Sequence, residues 1–589
     1  MSAKIATGID RFLPAAAIVV ALYIVADTIY WTIRSFNPLP FWDAWVFAKL
    51  ARTIDWNNFL TVLWQQHNEH RLVVTRLIGL ADMRYFGGAG YLDLAAIWLM
   101  QLGGAAIVIA LGFGVTAGSF SSAASRIRWR VFIVALTAAL LFSAVQLENL
   151  TWSIQTCFIG AWFLFAVAFL ALKKYLDSDK VGWLAAALAA TVLSMLCLAD
   201  GAIAPLIVGL ALLVARRWRA AAVSFVVFAA GLAAYLHGYV SPPYHEAPLD
   251  ALQRPATLAA YIAVYLGNIF DPIEIFSPGN FRFYLSGAFG LAAIVAVAAL
   301  LCPMARQQAR AAGATEAERR VASAALALYG LVAMGVTQGI VTALGRINFG
   351  LIQALSSRYT TAVFYLWIAL FLLTLNLARR ARLDWIARGW AFLALLFCVA
   401  LGIRQAPMGH EYEYRGIRLE LVADALRVGV TEKALMLRSF SNYDFVMANV
   451  PYLIQNRLSS FSRYSDLIGR PFGELVASGA AFDCAGAFDR VVDDGIVGGV
   501  RVSGWAWLPA EARHPDLIVL VDAAGTTVGL ATSWNRDADI AKAHPETARG
   551  YARWQGYSRA GRAVAAYVFS PERKAACKLK GILNISATP

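Results

Sequence analysis

Asp43 stands between two indoles in the run Phe41-Trp42-Asp43-Ala44-Trp45, a few residues after the first long apolar stretch. A carboxylate wedged among aromatic rings is partly desolvated, which strengthens it as a base. That suits it to take a proton from a sugar hydroxyl or a similar nucleophile. The same run also reads as the start of an interfacial helix, with the acid near its N-terminus and Trp42 and Trp45 in an aromatic belt. The belt accounts for the tryptophans without requiring the acid.

The densest polar run is Gln66-His67-Asn68-Glu69-His70-Arg71. On a helix, His67, His70 and Arg71 share one face at spacings of three and four. Two histidines three apart suggest a metal, but zinc needs a third ligand, and the sequence identifies none. No cofactor is fixed, and a divalent metal stays open. Gripping phosphate or sugar oxygens is the favoured reading, with Glu69 as a second candidate base. The apolar flanks Leu63-Trp64 and Leu72-Val73-Val74 weaken the alternative of a solvated helix start.

Two further groups follow. If a helix runs through them, Glu148, Trp152 and Gln155 share a face, with Asn149 beside them. An acid and amides at a span end are costly unless they face a polar cavity or the interface. Rings beside amides and carboxylates also suit a sugar-binding cleft, and a plain interfacial turn fits equally well. Arg346, Asn348, Gln353, Ser356, Arg358 and Tyr359 precede a late span. Arginines offer forked donors to phosphate oxygens, and their alternative is headgroup contact by snorkelling. Asp200-Gly201, between two apolar runs, reads as a tight turn.

These residues must be positioned by a membrane framework. The chain has 589 residues, 59% hydrophobic and only 15% charged, against about 25% charged in soluble domains. Roughly eleven stretches meet or approach the about 20 apolar residues a crossing needs. They lie near 12–33, 91–117, 131–147, 153–172, 181–198, 202–215, 220–236, 284–303, 321–344, 360–378 and 388–403. The net charge of +14 collects in alternate connections, at Arg126/Arg128/Arg130, Lys173/Lys174/Lys180, Arg216/Arg217/Arg219, Arg306/Arg310/Arg319/Arg320 and Arg379/Arg380/Arg382/Arg388, with one exception, the segment after the first span, which holds Lys49, Arg52, Arg71, Arg76 and Arg84. That is the positive-inside bias, so the excess marks topology and not nucleic acid. It places the N-terminus in the cytoplasm and, after about eleven crossings, the C-terminus outside. The polar groups above then all face outward.

The first apolar segment is too long for a signal peptide and is followed by Phe36-Asn37-Pro38-Leu39-Pro40 instead of a cleavage site. Trp42 to Trp56 reads as a helix lying in the interface, with Val46, Leu50 and Ile54 on one side. Leu252–Phe270, after the loop Tyr239-Val240-Ser241-Pro242-Pro243-Tyr244-His245-Glu246, reads as re-entrant or interfacial. Three parts are expected: a transmembrane part over 1–405, a helical linker over 406–480 with helices at Tyr414–Arg427 and Asp444–Leu458, and a small β-sandwich over 481–589. In the last part, Ile496 to Trp507 alternates around its glycines, and Leu517–Val521 and Thr527–Ala531 flank the turn Asp522-Ala523-Ala524-Gly525. Ala563–Phe569 adds a strand. Cys484 and Cys577 bracket this tail, where a disulfide is permitted if it is extracytoplasmic.

Taken together, an acid in the first outer loop, the extended segment behind it, the many spans and the outer tail resemble the GT-C superfamily of membrane glycosyltransferases. The resemblance covers roughly the first 400 residues at the level of topology. It implies transfer of a sugar from a polyprenyl-phosphate or polyprenyl-diphosphate carrier to an envelope glycan or lipid, on the periplasmic face of a bacterial inner membrane. Asp43 matches the family's first-loop acid by position, and Arg358 resembles its late-loop residue that binds carrier phosphate. The Asp-Asp or Glu-Asp doublet of some members is absent from that loop, as is the Trp-Trp-Asp-Tyr run of oligosaccharyl transferases. The tail, with Val502-Ser503-Gly504-Trp505-Ala506 and Arg536-Asp537, resembles sandwich modules appended to bacterial glycosyltransferases. Two other readings share the topology: a transporter or flippase for envelope glycolipids, and an outer-face glycan polymerase or ligase. Transporters place polar sites at mid-membrane. Here only Gln101 and Gln338 stand at mid-depth, which favours the enzyme.

Overall fold

Among the described residues of the structure, a computed structural model, eight helices are long and apolar enough to cross a membrane: Gly8–Arg34, Tyr91–Val115, Ser153–Ser178, Trp218–Leu236, Phe281–Ala311, Glu316–Phe349, Ser357–Arg380 and Asp384–Val428. A bent pair, Ala123–Leu141 with Ala144–Thr151, makes a ninth when counted as one span. The structure describes residues 3–120, 122–242, 248–273, 281–311, 313–492, 495–559 and 563–581. The Pro243-Tyr244-His245-Glu246 stretch lies outside these. The chain is a polytopic helical membrane protein with a strand-rich module.

The two remaining expected stretches form shorter helices, Val181–Met195 and Ala199–Val214. The break between them falls at Asp200-Gly201, where the chain turns back so closely that a side chain at Gly201 would strike the Ser194 backbone. The segment expected as re-entrant or interfacial is the twelve-residue helix Pro255–Leu266.

By density of contacts the chain forms two units. The first comprises Met1–Ile33, Trp56–Ile78 and Asp93–His410. Its axis is the helix carrying Phe364 to Leu375, 83% of whose apolar window is buried, against 22% for Trp218–Leu236 at the periphery. Gln405 joins three spans, donating to Ile24 O and Thr28 Oγ1 at 2.9 Å each and accepting from the Ala144 N–H at 2.6 Å. The two mid-depth amides serve packing as well. Gln338 accepts from the Trp162 indole at 2.8 Å, and Gln101 donates to Leu141 O at 2.6 Å.

The second unit comprises Arg34–Asp55, Gly79–Leu92 and Glu411–Pro589. The helix Asp384–Val428 runs unbroken through Pro407 for 45 residues, so the composition change at 405/406 marks no break in secondary structure. At about 1.5 Å per residue it is roughly twice as long as a bilayer core is thick. The outer segment forms the helix Trp45–Thr53, burying Trp45, Phe47, Ala48 and Leu50. That apolar side packs on the helix Tyr443–Gln455, with Arg52 Nε donating to Asn449 Oδ1 at 3.2 Å. The helix Asp384–Val428 ends in a buried cluster. Arg427 donates to Glu420 at 2.6 Å and to Asp424 at 2.7 Å, and Asp424 accepts from Thr532 Oγ1 at 2.7 Å. Removing one partner of such a buried pair costs about 3–5 kcal/mol.

Among the described residues nine strands follow: β1 Thr431–Glu432, β2 Ala485–Val492, β3 Ile496–Val497, β4 Gly499–Trp507, β5 Ile518–Asp522, β6 Thr527–Asn535, β7 Arg553–Arg559, β8 Ala563–Ser570 and β9 Ala575–Lys578. The alternating run from Ile496 splits at Gly498, whose φ of 84° turns the chain. β3 then pairs with β1, while β4 enters the main sheet. That sheet has seven antiparallel strands in the order β2-β4-β7-β6-β5-β8-β9. The β5–β6 turn is held by Asp522 Oδ1, which accepts from the Ala524 and Thr526 N–H groups at 3.0 and 2.8 Å. The strand module expected as two layers is one sheet rolled until its ends meet. Phe488 N–H donates to Lys580 O at 2.9 Å, and Lys580 N–H to Gly486 O at 3.0 Å. Inside lie Val502, Ile518, Leu520 and Trp554, all fully buried, with Phe488 stacked on Trp554 at 5.5 Å.

Cys484 and Cys577 are bonded across this seam, with Cα atoms 6.0 Å apart and a separation of 93 residues. On the chain-entropy account a loop of that size is worth about 4 kcal/mol. Thiol labelling of oxidised, denatured protein is expected to spare both. Labelling of either without reductant would show that the bond does not form.

Candidate functional site

In the first unit, the connections that carry the polar runs come together at one end of the bundle. The expected helix through Gln66 to Arg71 is instead a tight turn: His67 and His70 exchange N–H···O bonds of 2.8 Å, with Asn68 in the left-handed region at φ 49°. Asparagine tolerates that region. The reversal separates the hexad into residues that hold the turn and residues at its tip. Arg71, 4% exposed, spends its guanidinium on three carbonyls, those of Trp64, Tyr235 and His237, at 2.7 to 2.9 Å. Gln66 donates to Asn68 O and Val240 O at 2.6 Å and accepts from the Val240 N–H at 2.9 Å. Both therefore clamp backbone. Tyr235 secures the tip by donating its hydroxyl to Glu69 O at 3.0 Å.

Glu69 and His70 are left facing a cavity of about 380 Å³. Glu69 forms an ion pair with Arg346, and its carboxylate lies 3.3 Å from His70 Nε2. His70 Nδ1 accepts from the Ala199 N–H at 3.2 Å, so the proton of the neutral ring resides on Nε2, toward Glu69. Burial disfavours the charged form of Glu69, but its interactions with neighbouring His70 and with the Arg346 guanidinium outweigh it and hold the carboxyl down at about 2. Asp200, 9% exposed, lines the same cavity beside Tyr235, Tyr239, Arg346 and Tyr359.

This arrangement predicts a pH dependence. Because the folded-state value lies below the ordinary 4.5, ionised Glu69 favours the folded state above about 4.5, and that contribution is lost as pH falls toward about 2. Thermal unfolding in detergent should therefore steepen over this window in the parent more than in Glu69→Gln. Equal slopes would sink the assignment.

Beside the cavity, Glu148 accepts from the Ser357 hydroxyl, and its other oxygen is 3.8 Å from Arg358 Nε. Arg358 Nε donates to Ser356 Oγ at 2.9 Å, while its two Nη groups have no partner among the described residues. Its backbone is pinned by Asn149, which donates to Arg358 O at 3.1 Å and to Thr361 Oγ1 at 2.8 Å. The single helical face expected for Glu148, Trp152 and Gln155 does not form. The helix Leu147–Thr151 stops at Trp152, which is extended (φ −112°, ψ 115°), and a 3-10 turn Ser153–Gln155 follows. Trp152 and Gln155 are consequently buried in the bundle.

The Tyr359 ring lies tilted against Tyr265 at 5.1 Å, and its hydroxyl accepts from Gln353 at 3.1 Å. Tyr261 places its hydroxyl, unbonded among the described residues, within electrostatic reach of both Arg346 and Arg358. Reasoning from sequence did not single out Asp200, Tyr235, Tyr239, Tyr261 and Tyr265 as site residues. The available signals were an acid interrupting an apolar run and tyrosines recurring at a spacing of four in Pro255–Leu266. Among the described residues, no three His, Cys, Asp or Glu side chains gather as a metal-ligand set.

Asp43 belongs to the second unit. It sits in the 3-10 turn Trp42–Ala44, directly after Trp42, whose φ of 46° is left-handed. Trp42 N–H donates to Ser439 O at 2.6 Å, and Trp45 is fully buried. A bulky residue in that region costs of order 1–3 kcal/mol and marks a position worth testing for function.

No family model matches the chain, and no curated protein matches it. Two solved structures are similar in part: ArnT from Cupriavidus metallidurans in the apo state and the same protein bound to undecaprenyl phosphate. Each is 14% identical and is matched over 80% of this chain and 93% and 92% of its own, with TM-scores of 0.35 and 0.31.

Proposed function

We propose that this chain is a membrane glycosyltransferase that takes a sugar from a polyprenyl-phosphate carrier and passes it to an envelope glycan or lipid. The observation that carries the reading is the arginine pair around the cavity of the first unit. Arg346 is held there by Glu69, and Arg358 offers two unengaged Nη groups within reach of the same tyrosine. Forked guanidinium donors suit phosphate oxygens. Placed against a leaving phosphate, they stabilise the charge that develops as the sugar departs. Bound carrier phosphate would compete with Glu69 for Arg346, which couples donor binding to release of the acid.

Glu69, held at about 2, is a weak proton acceptor while that pair persists. The base is assigned to Asp43 on its sequence position in the first loop alone; it takes the acceptor hydroxyl proton as the oxygen attacks the anomeric carbon and the bond to the carrier phosphate breaks. Glu148 and Tyr359 shape the phosphate side. His67 and Trp42 keep supporting roles in binding, whereas Trp45, fully buried, packs the helix Trp45–Thr53. In this reading the site faces the periplasm, with the N-terminus cytoplasmic. A transporter is the second reading, and it is disfavoured because Gln101 and Gln338 each tie one helix to another.

The test is transfer by purified protein from a radiolabelled polyprenyl-phosphate hexose, alongside binding of polyprenyl phosphate in mixed micelles. Arg358→Lys keeps charge but loses the fork, so its affinity for the lipid phosphate should fall by roughly thirtyfold, the worth of about 2 kcal/mol of charge-assisted hydrogen bonding, with kcat near the parent's. Unchanged affinity would remove Arg358 from the site. Absence of any carrier-dependent transfer across a panel of envelope acceptors would overturn the reading.

A further inference from the structure

The second unit contains a cavity of its own, about 710 Å³ in volume, lined by five arginines and three carboxylates. Its floor is the sheet face opposite the apolar core, because Arg501 and Ser503 on β4 alternate with buried Val500 and Val502. Its rim is formed by Arg418 of the long helix and by the short helix Lys433–Met436 with Arg438 just beyond it.

The charges in this cleft are unevenly used. Arg501 donates to Glu432 at 2.8 Å, and Tyr557 donates to the other oxygen of Glu432 at 2.8 Å. Arg553 donates to Asp489 and Asp537 at 2.8 and 2.9 Å. All three carboxylates are thereby taken by two arginines. Arg418, Arg438 and Arg490 have no carboxylate partner among the described residues, so the cleft presents surplus positive charge. Arg418 lies 4.6 Å over the Tyr414 ring, which is itself stacked with Trp534 at 6.2 Å and 24°. Trp534 lines the cleft beside Asn535 and Gln555.

We propose that this cleft binds a carboxylate-bearing saccharide. The volume falls within the about 300–1,000 Å³ usual for ligand clefts. An indole presents a flat apolar face on which a sugar ring can lie. The amides of Asn535 and Gln555 suit hydroxyls, and the spare guanidinium groups match a uronate by forked contacts. A lipid headgroup would use the same cations but would leave the indole and amides without a counterpart. The inference does not rest on transferase activity and stands or falls separately from it.

The experiment is isothermal titration of the purified full-length protein with tetragalacturonate and with neutral maltotetraose, and sedimentation with phosphatidylglycerol vesicles. The parent should bind tetragalacturonate, less tightly as salt rises, and maltotetraose about tenfold more weakly or not at all. Arg418→Gln/Arg490→Gln should lose about tenfold or more for the uronate, and Trp534→Ala should weaken it as well. If the first double variant unfolds, Arg438→Gln/Arg490→Gln, at two exposed positions, supplies the same comparison. Failure of the parent to bind tetragalacturonate, equal affinity for the neutral sugar, or parental affinity in the folded variants would each overturn the proposal. Vesicle binding that these variants lose, without uronate binding, would overturn it in favour of a headgroup site.

Discussion

Asp43→Asn should insert and unfold as the parent does while sugar transfer falls about 10²–10⁴-fold, the usual worth of a general base. Asparagine keeps the size and much of the capping capacity of aspartate, so a purely structural Asp43 would lose little. A base must be a carboxylate. The left-handed Trp42 immediately before it, fastened by Ser439 O, fixes the direction in which residue 43 leaves the turn. Measurement of kcat on purified protein, together with thermal unfolding, separates the two roles. A parental rate in a normally folded Asp43→Asn would return Asp43 to the status of a turn residue, and Glu69 or Glu148 would become the next base to test.

Arg346→Gln should produce the largest loss of stability in the first unit and abolish measurable binding of polyprenyl phosphate. The side chains of Arg346 and Glu69 are 20% and 18% exposed, so removing the cation leaves an acid in a poorly solvated place. Loss of one partner from such a pair costs about 3–5 kcal/mol, and removal of both costs much less. Glu69→Gln/Arg346→Gln should therefore regain most of the unfolding temperature without regaining lipid phosphate binding. Recovery of both together would mean that Arg346 serves only to hold Glu69.

The polar residues were recognisable in the sequence by type, but their conformation depended on distant partners. Gln66 to Arg71 stood out as a dense polar run. Whether it formed a helix or a turn was decided by Tyr235 and Val240, far along the chain, and by Asn68 in the left-handed region. The helix expected through Glu148 and Gln155 failed because Trp152 is extended, and no local residue announced that break. Asp200 was read as a turn, and it is one, but its place beside Glu69 follows from the folding back of two short helices. The spans were easier to see, since about 20 apolar residues in succession constitute a local signal. The helix that crosses the expected 405/406 boundary continues through Pro407, since prolines are tolerated within long apolar helices.

The seam of the rolled sheet carries a consequence for how the protein is made. β2 and the residues just beyond β9 meet through backbone bonds and a covalent bridge, so the first strand of the sheet waits for the last. During synthesis the intervening strands emerge with an open edge, a template for pairing with any passing extended chain. Only when the final strand arrives can the roll close and both edges disappear. Folding of this module is thus expected to depend on shielding of its open strand edges, and oxidation of the seam reports completion.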